Sequence, residues 1–203
     1  MQMKNSLIML SVFVSGVFIG LFSLCPLQVL KHNADLYALY GLMLLVGISI
    51  GSEISTARDL IKRLNIRIVL VPLAVIIGTY AGVCLISVFL PSISLKESLA
   101  VGSGFGYYSL SSILISRISG EALGVIALLS NIIRELLTVI AAPVFVRFFG
   151  KLSPIVSGGA TSMDTTLPVI ARFSGKEYAT ISVFSGTILT ILVPFLVTLF
   201  AKL

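Results

Sequence analysis

Charged side chains are scarce in this chain. Asp, Glu, Lys and Arg make up 11% of its 203 residues, where soluble domains carry about 25%. With 57% hydrophobic residues and a mean hydropathy of +1.12, this shortage argues against a soluble fold. Histidine is rarer still. The single one, His32, falls in a predicted loop away from the serine clusters, so no Ser–His or Cys–His pair is available for nucleophilic catalysis. Two cysteines, Cys25 and Cys84, sit in different apolar segments and offer neither a disulfide framework nor metal-ligand spacing. They read as small buried hydrophobes. A Walker A run is also missing, which argues against ATP coupling within this chain. Hydrolysis, group transfer, a cofactor and a metal therefore find no support, and no enzyme is expected. The net charge of +6 does not point to nucleic acid, because the basic residues lie in short loops between apolar runs, where they set membrane topology.

What is present is a succession of apolar blocks of membrane-spanning length. The predicted segments are about 6–28, 36–54, 68–90, 98–116, 122–146, 152–171 and 178–201. Lys4 ahead of an apolar run resembles a signal peptide, but no small-residue cleavage site follows and the charge-free run extends from Asn5 to Leu30, so it is read as the first membrane helix. The basic loop holding Arg58, Lys62, Arg63 and Arg67 is expected to face the cytoplasm. Seven crossings then put the N-terminus inside, with Arg117, Arg172 and Lys176 also inside and Lys31, Lys96, Arg147, Lys151 and Lys202 outside. If segment 6 only re-enters, the C-terminus changes side. Small-xxx-small pairs at Gly16/Gly20, Gly47/Gly51, Gly78/Gly82 and Gly120/Gly124 predict close helix approach. The fold class expected is an all-α polytopic helix bundle, a single transmembrane domain over 1–203, with segments 4 and 6 broken or re-entrant.

Three clusters carry candidate chemistry. In segment 6, Gly158, Gly159, Thr161, Ser162, Asp164 and Thr165 gather just before Pro168. A carboxylate at membrane depth costs roughly 2.5–3.5 kcal/mol on insertion scales and is read as functional by default. The glycines and proline oppose a continuous helix, and irregular backbone is tolerated in a membrane only where it is buried or lines a wet cavity. A broken helix of this kind suits an ion or zwitterion site in a transporter. The competing reading is that Asp164 only caps a short helix. In segment 4, glycines 102, 104 and 106 alternate ahead of Tyr107, Tyr108, Ser109, Ser111 and Ser112, a second unwound stretch with an aromatic and hydroxyl lining, or else a small-residue packing face. In segment 5, Asn131, Arg134 and Glu135 share one helix sector. Arg134 is expected to pair with Glu135, Asp164 or another carboxylate, either to orient helices or to tune the charge of a transport site. Glu53 reads as a solvated helix end.

These motifs carry a resemblance. Gly102-Ser-Gly-Phe-Gly-Tyr-Tyr-Ser-Leu-Ser-Ser112, Asn131-Ile-Ile-Arg-Glu135 with Pro143, and Gly158-Gly-Ala-Thr-Ser-Met-Asp-Thr-Thr-Leu-Pro168 resemble the LysO-type lysine exporter family of bacteria. The likeness runs from about Leu45 to the C-terminus and includes Val46-Gly-Ile-Ser-Ile50. It implies a multi-pass inner-membrane exporter of lysine and its analogues, working by proton antiport, in which the aspartate matched by Asp164 is functional. Longer members of the family begin with further helices that carry a second membrane aspartate, for which Asp35 is no substitute. The expected partners are therefore lysine and protons, the lipid bilayer, and either further copies of this chain or a small membrane subunit. The alternative function is a non-transporting assembly subunit, or export of another small solute.

Overall fold

The computed structural model describes residues 66–203 together with scattered positions between Ser15 and Ile48. Most of segments 1 and 2, the loop at 58–65, His32, Cys25, Glu53, Asp35 and the glycine pairs at 16/20 and 47/51 lie outside the described residues. The chain divides into two units, Met1–Ile48 and Ser49–Leu203, and the account below concerns the second. Its described elements are all helical: α1 (Ile66–Ser87), α2 (Leu95–Gly102), α3 (Tyr108–Ser119), α4 (Glu121–Phe149), α5 (Ser153–Gly158), a 3₁₀ turn (Gly159–Met163), α6 (Leu167–Phe173) and α7 (Glu177–Lys202).

Length separates these helices into two kinds. α1, α4 and α7, with 22, 29 and 26 residues, are long and apolar enough to cross a bilayer. At about 1.5 Å per residue each exceeds the roughly 30 Å hydrocarbon core. α2, α3, α5 and α6, with 8, 12, 6 and 7 residues, are too short to do so alone. Capping by sequence explains one boundary. Ser94 and Glu97 form a reciprocal capping box at the start of α2, with Ser94 accepting from the Glu97 amide at 3.2 Å and its own amide donating to the carboxylate at 2.8 Å.

The short helices form two hairpins that enter from opposite ends of the bundle. Lys151, just before α5, lies 3.8 Å from the Glu177 carboxylate and 5.6 Å from the Tyr178 ring, both just beyond α6. Ile155 of α5 and Ile170 of α6 share one buried cluster with Val71, near the start of α1, and with Tyr178 and Ile181. The chain from 151 to 177 therefore enters and leaves at the same end. α7 carries the chain to the other end, where the Leu203 carbonyl accepts from Lys96 Nζ at 2.7 Å. α4 finishes at the Lys151 end, so its start at Glu121 lies at the Lys96 end, and so does Ser119, joined to it through Gly120. α2 and α3 thus dip in from the Lys96 end and return to it.

This arrangement corrects the expected sidedness. Arg147 and Lys151 share an end with Arg172 and Lys176, while Arg117 shares the opposite end with Lys96. Segments 4 and 6 are broken, as expected, and each returns to the end of the bundle from which it enters. The packing pattern is that of a membrane bundle. Ile140 is 73% exposed and Leu137 55% exposed on the outer face of α4, whereas Ser103, Ser111, Thr138, Ser162, Ser182 and Ser185 are buried inside. The expectation for Gly120/Gly124 holds at Gly124, where an added Cβ would collide with Ser116 of α3. Among the described residues, a Cβ added at Gly78 or Gly82 would meet nothing within 4 Å.

Candidate functional site

The tips of the two hairpins meet near the middle of the bundle. The Ala160 amide donates to the Phe105 carbonyl at 2.8 Å, joining the 3₁₀ turn to the break between α2 and α3. Glycine is required on both sides. Gly159 has φ +65° and ψ −122°, and an added Cβ would overlap the Phe105 carbonyl oxygen. Gly106 has φ +97°, and its Cβ would come within 2.9 Å of the Gly158 carbonyl. Phe105 itself holds φ +45°, the only positive value for a non-glycine among the described residues. For an aromatic residue this costs about 1–2 kcal/mol. Full burial and a ring contact with Tyr80 at 5.8 Å help hold it there.

One face of α4 satisfies the backbone groups that both breaks leave free. Asn131 Oδ1 accepts from the Gly106 amide at 2.7 Å, and Asn131 Nδ2 donates to the Ala127 carbonyl at 2.8 Å. One turn further, Arg134 Nε donates to the Ser157 carbonyl at 2.8 Å and Nη2 to the Val156 carbonyl at 3.2 Å. Nη1 donates to Thr79 Oγ1 at 3.1 Å. The division follows from chemistry: the broken first hairpin presents a free N–H, which an amide oxygen can accept, and the end of α5 presents free carbonyls, which a guanidinium can fork onto. A cation also suits the negative end of a short helix. Hydrogen bonds to a charged group contribute about 1.5–3 kcal/mol each, enough for two of them to offset an insertion cost of about 2.5–3.5 kcal/mol. The expected carboxylate partner of Arg134 is thus replaced by carbonyls, because the helix break supplies acceptors that a charge inventory does not count.

Asp164 follows the 3₁₀ turn at the tip of the second hairpin. Its depth is set by its neighbour: Met163 Sδ lies 3.7 Å from Thr187 Oγ1 and 3.8 Å from Thr190 Oγ1, near the middle of α7. The Asp164 carboxylate is exposed and accepts from Thr165, whose amide donates at 2.5 Å and whose hydroxyl lies at 3.3 Å. Tyr107 and Tyr108 follow directly on the break of the first hairpin, which the Phe105 carbonyl joins to the second hairpin at Ala160. Ser109 interacts with the Tyr107 side chain.

The other sequence-selected hydroxyls are committed to the backbone. Thr161 Oγ1 donates to the Gly158 carbonyl at 3.0 Å, Ser162 Oγ to the Gly159 carbonyl at 2.6 Å, and Ser111 Oγ to the Tyr107 carbonyl at 2.8 Å. They shape the tips, and Asp164 and Thr165 are the exposed polar groups there. Sequence reasoning missed Thr79, Tyr80 and Phe105. Thr79 is flanked by Gly78 at one residue and Gly82 at three, and that opening in the side-chain wall was the available signal. A cavity of about 420 Å³ lies between α1, α2 and α4 and reaches Asn131 and Arg134.

A family model described as the lysine exporter LysO matches residues 10–201. This chain belongs to the lysine exporter LysO family. It is 35% identical over 197 residues to the lysine exporter LysO of Escherichia coli, covering 97% of this chain and 64% of that protein. It is 31% identical over 196 residues to a putative lysine exporter of Haemophilus influenzae, covering 96% of this chain and 97% of that one. The chain thus spans just under two thirds of the first relative and almost all of the second. No solved structure matches it significantly. Membership places it among membrane transport proteins, in keeping with its three apolar helices of spanning length.

Proposed function

We propose that this chain exports lysine, or a related cationic amino acid, across the bacterial inner membrane in exchange for protons. The observation that carries the reading is Asp164: a carboxylate at mid-depth, exposed, held among the described residues by local bonds and by no cation, beside the meeting point of two broken hairpins. Sites of secondary transporters lie at such breaks near the bilayer midplane. The names of both relatives support lysine as the cargo. In this reading Asp164 holds the substrate ammonium in one half-cycle and a proton in the other, and Tyr107 and Tyr108 present aromatic faces to the passing cation. Glu135 adds negative charge on the same side.

The Lys151 end faces the cytoplasm. It gathers Arg147, Lys151, Arg172 and Lys176 with one acid, Glu177, whereas the other end carries Lys96, Arg117 and Lys202 together with Glu97 and Glu121. The test is counterflow of labelled lysine in vesicles, with and without a pH gradient at matched membrane potential. Acidifying the outside should accelerate efflux, since each entering proton discharges the carboxylate for the next cycle. Equal rates with and without the gradient would refute proton coupling, and absence of lysine flux would refute the cargo.

A further inference from the structure

Arg134 has capacity that its structural bonds do not use. A guanidinium carries five N–H donors, and three of them reach Ser157, Val156 and Thr79. Among the described residues no carboxylate forms an ion pair with it, and two of its donors have no acceptor there. The 420 Å³ cavity ends on this group. Its size falls within the range of small-molecule sites, roughly 300–1,000 Å³. Its walls are largely apolar, with Gly82, Val83, Ile86 and Val101 among them, and it extends from Leu90 and Ile93 beyond the end of α1. A second polar group on the wall is unclaimed: Ser98 Oγ is buried and has no hydrogen-bond partner.

We propose that this cavity is a carboxylate-binding site, with Arg134 as the anchor, and that its occupant is the α-carboxylate end of the exported amino acid. A guanidinium in the bundle interior with two donors to spare favours an anion. The planar fork of guanidinium fits a carboxylate, and the apolar walls favour an organic anion with a methylene stem over a hydrated inorganic one. Gly78 and Gly82 keep the space open, since a Cβ at either position would meet nothing within 4 Å. The site would require a carboxylate on any substrate, while Asp164 would require a cationic group. It rests on the transport reading above for its natural ligand, and its own chemistry can be tested apart from that reading.

The experiment uses the full chain in detergent or nanodiscs. Thermal stabilisation is titrated with 6-aminohexanoate, which keeps a carboxylate and a terminal ammonium, and with 1,5-diaminopentane, which lacks the carboxylate. Lysine counterflow is measured in parallel. The proposal expects 6-aminohexanoate to bind at least tenfold more tightly than the diamine. It also expects Gly82→Leu, which fills the cavity from a helical position without touching the bonds of Arg134, to weaken 6-aminohexanoate at least tenfold at normal membrane levels. Equal binding of the two compounds, or no binding of 6-aminohexanoate, overturns the carboxylate site, and the wild-type comparison decides this even if the variant fails to fold. Unchanged binding in a folded Gly82→Leu protein overturns the placement. Intact carboxylate binding without lysine counterflow would sink the transport reading alone.

Discussion

Replacing Gly159 by alanine should separate the hairpin tips. Two costs add. At φ +65° and ψ −122° the backbone lies where only glycine is comfortable, worth about 1–3 kcal/mol for another residue. The new methyl would overlap the Phe105 carbonyl oxygen and press on Arg134 Nη2 at 3.2 Å. Relieving that overlap breaks the 2.8 Å bond from Ala160 to Phe105, worth about 0.5–1.5 kcal/mol. The total is about 1.5–4.5 kcal/mol. Gly120→Ala is the matched control. Its φ of +100° and ψ of 159° carry a comparable backbone cost, but an added Cβ meets nothing within 4 Å. In detergent thermal unfolding, Gly159→Ala should melt below Gly120→Ala, and lysine flux should fall at least tenfold in the first and much less in the second. Equal melting temperatures with wild-type flux in both would refute the tip-to-tip contact as a structural and functional element.

Three further outcomes follow from the fold. Cysteines at Lys151 and Lys176 should react with a membrane-impermeant maleimide from the same side and one at Lys96 from the opposite side, and labelling of 151 and 176 from opposite sides would make segment 6 a full crossing. Arg134→Gln should destabilise the protein more than Thr79→Val, because it strips the donors from two carbonyls, Val156 and Ser157, whereas the threonine removes one acceptor; the reverse order in thermal unfolding would contradict the capping role. Ser94→Ala should cost about 0.5–2 kcal/mol of stability. Ser94 hydrogen bonds hold the Glu97 carboxyl below its ordinary pKa, so their stabilising effect is present above the ordinary carboxylate range and fades as pH falls through the lowered value. The variant keeps the bond from its backbone amide but should lose the larger part of that dependence, and an unaltered pH profile of unfolding would contradict it.

The breaks in segments 4 and 6 were legible because glycine and proline act locally. Gly158, Gly159 and Pro168 oppose helix wherever they are placed, and the alternating glycines from Gly102 to Gly106 do the same. The shared face of Asn131 and Arg134 was legible too, since three residues on a helix return to nearly the same direction. Sidedness was not. A broken apolar stretch of some twenty residues has the length of a span, and only the tertiary contact between Lys151 and Glu177 shows that the chain turns back. The partners of Arg134 were hidden for a related reason. Sequence displays charges but not the carbonyls that a helix break sets free, so a carboxylate was expected where Val156 and Ser157 supply the acceptors. Gly78 and Gly82 carry an ambiguous signal, since small residues mark close packing in lipid and here also line a cavity among the described residues.

The central claim is that Asp164, at mid-depth beside the joined hairpin tips, is the group that carries charge through the transport cycle. The most direct measurement is lysine counterflow in proteoliposomes of Asp164→Asn beside the parent protein at equal reconstituted amounts. The amide nearly matches the carboxylate in shape, and the side chain is exposed with local hydrogen bonds to Thr165, so membrane levels and unfolding should stay unchanged. The account predicts that lysine flux is lost and that no pH gradient restores it. Flux at the parent rate in the variant would contradict it.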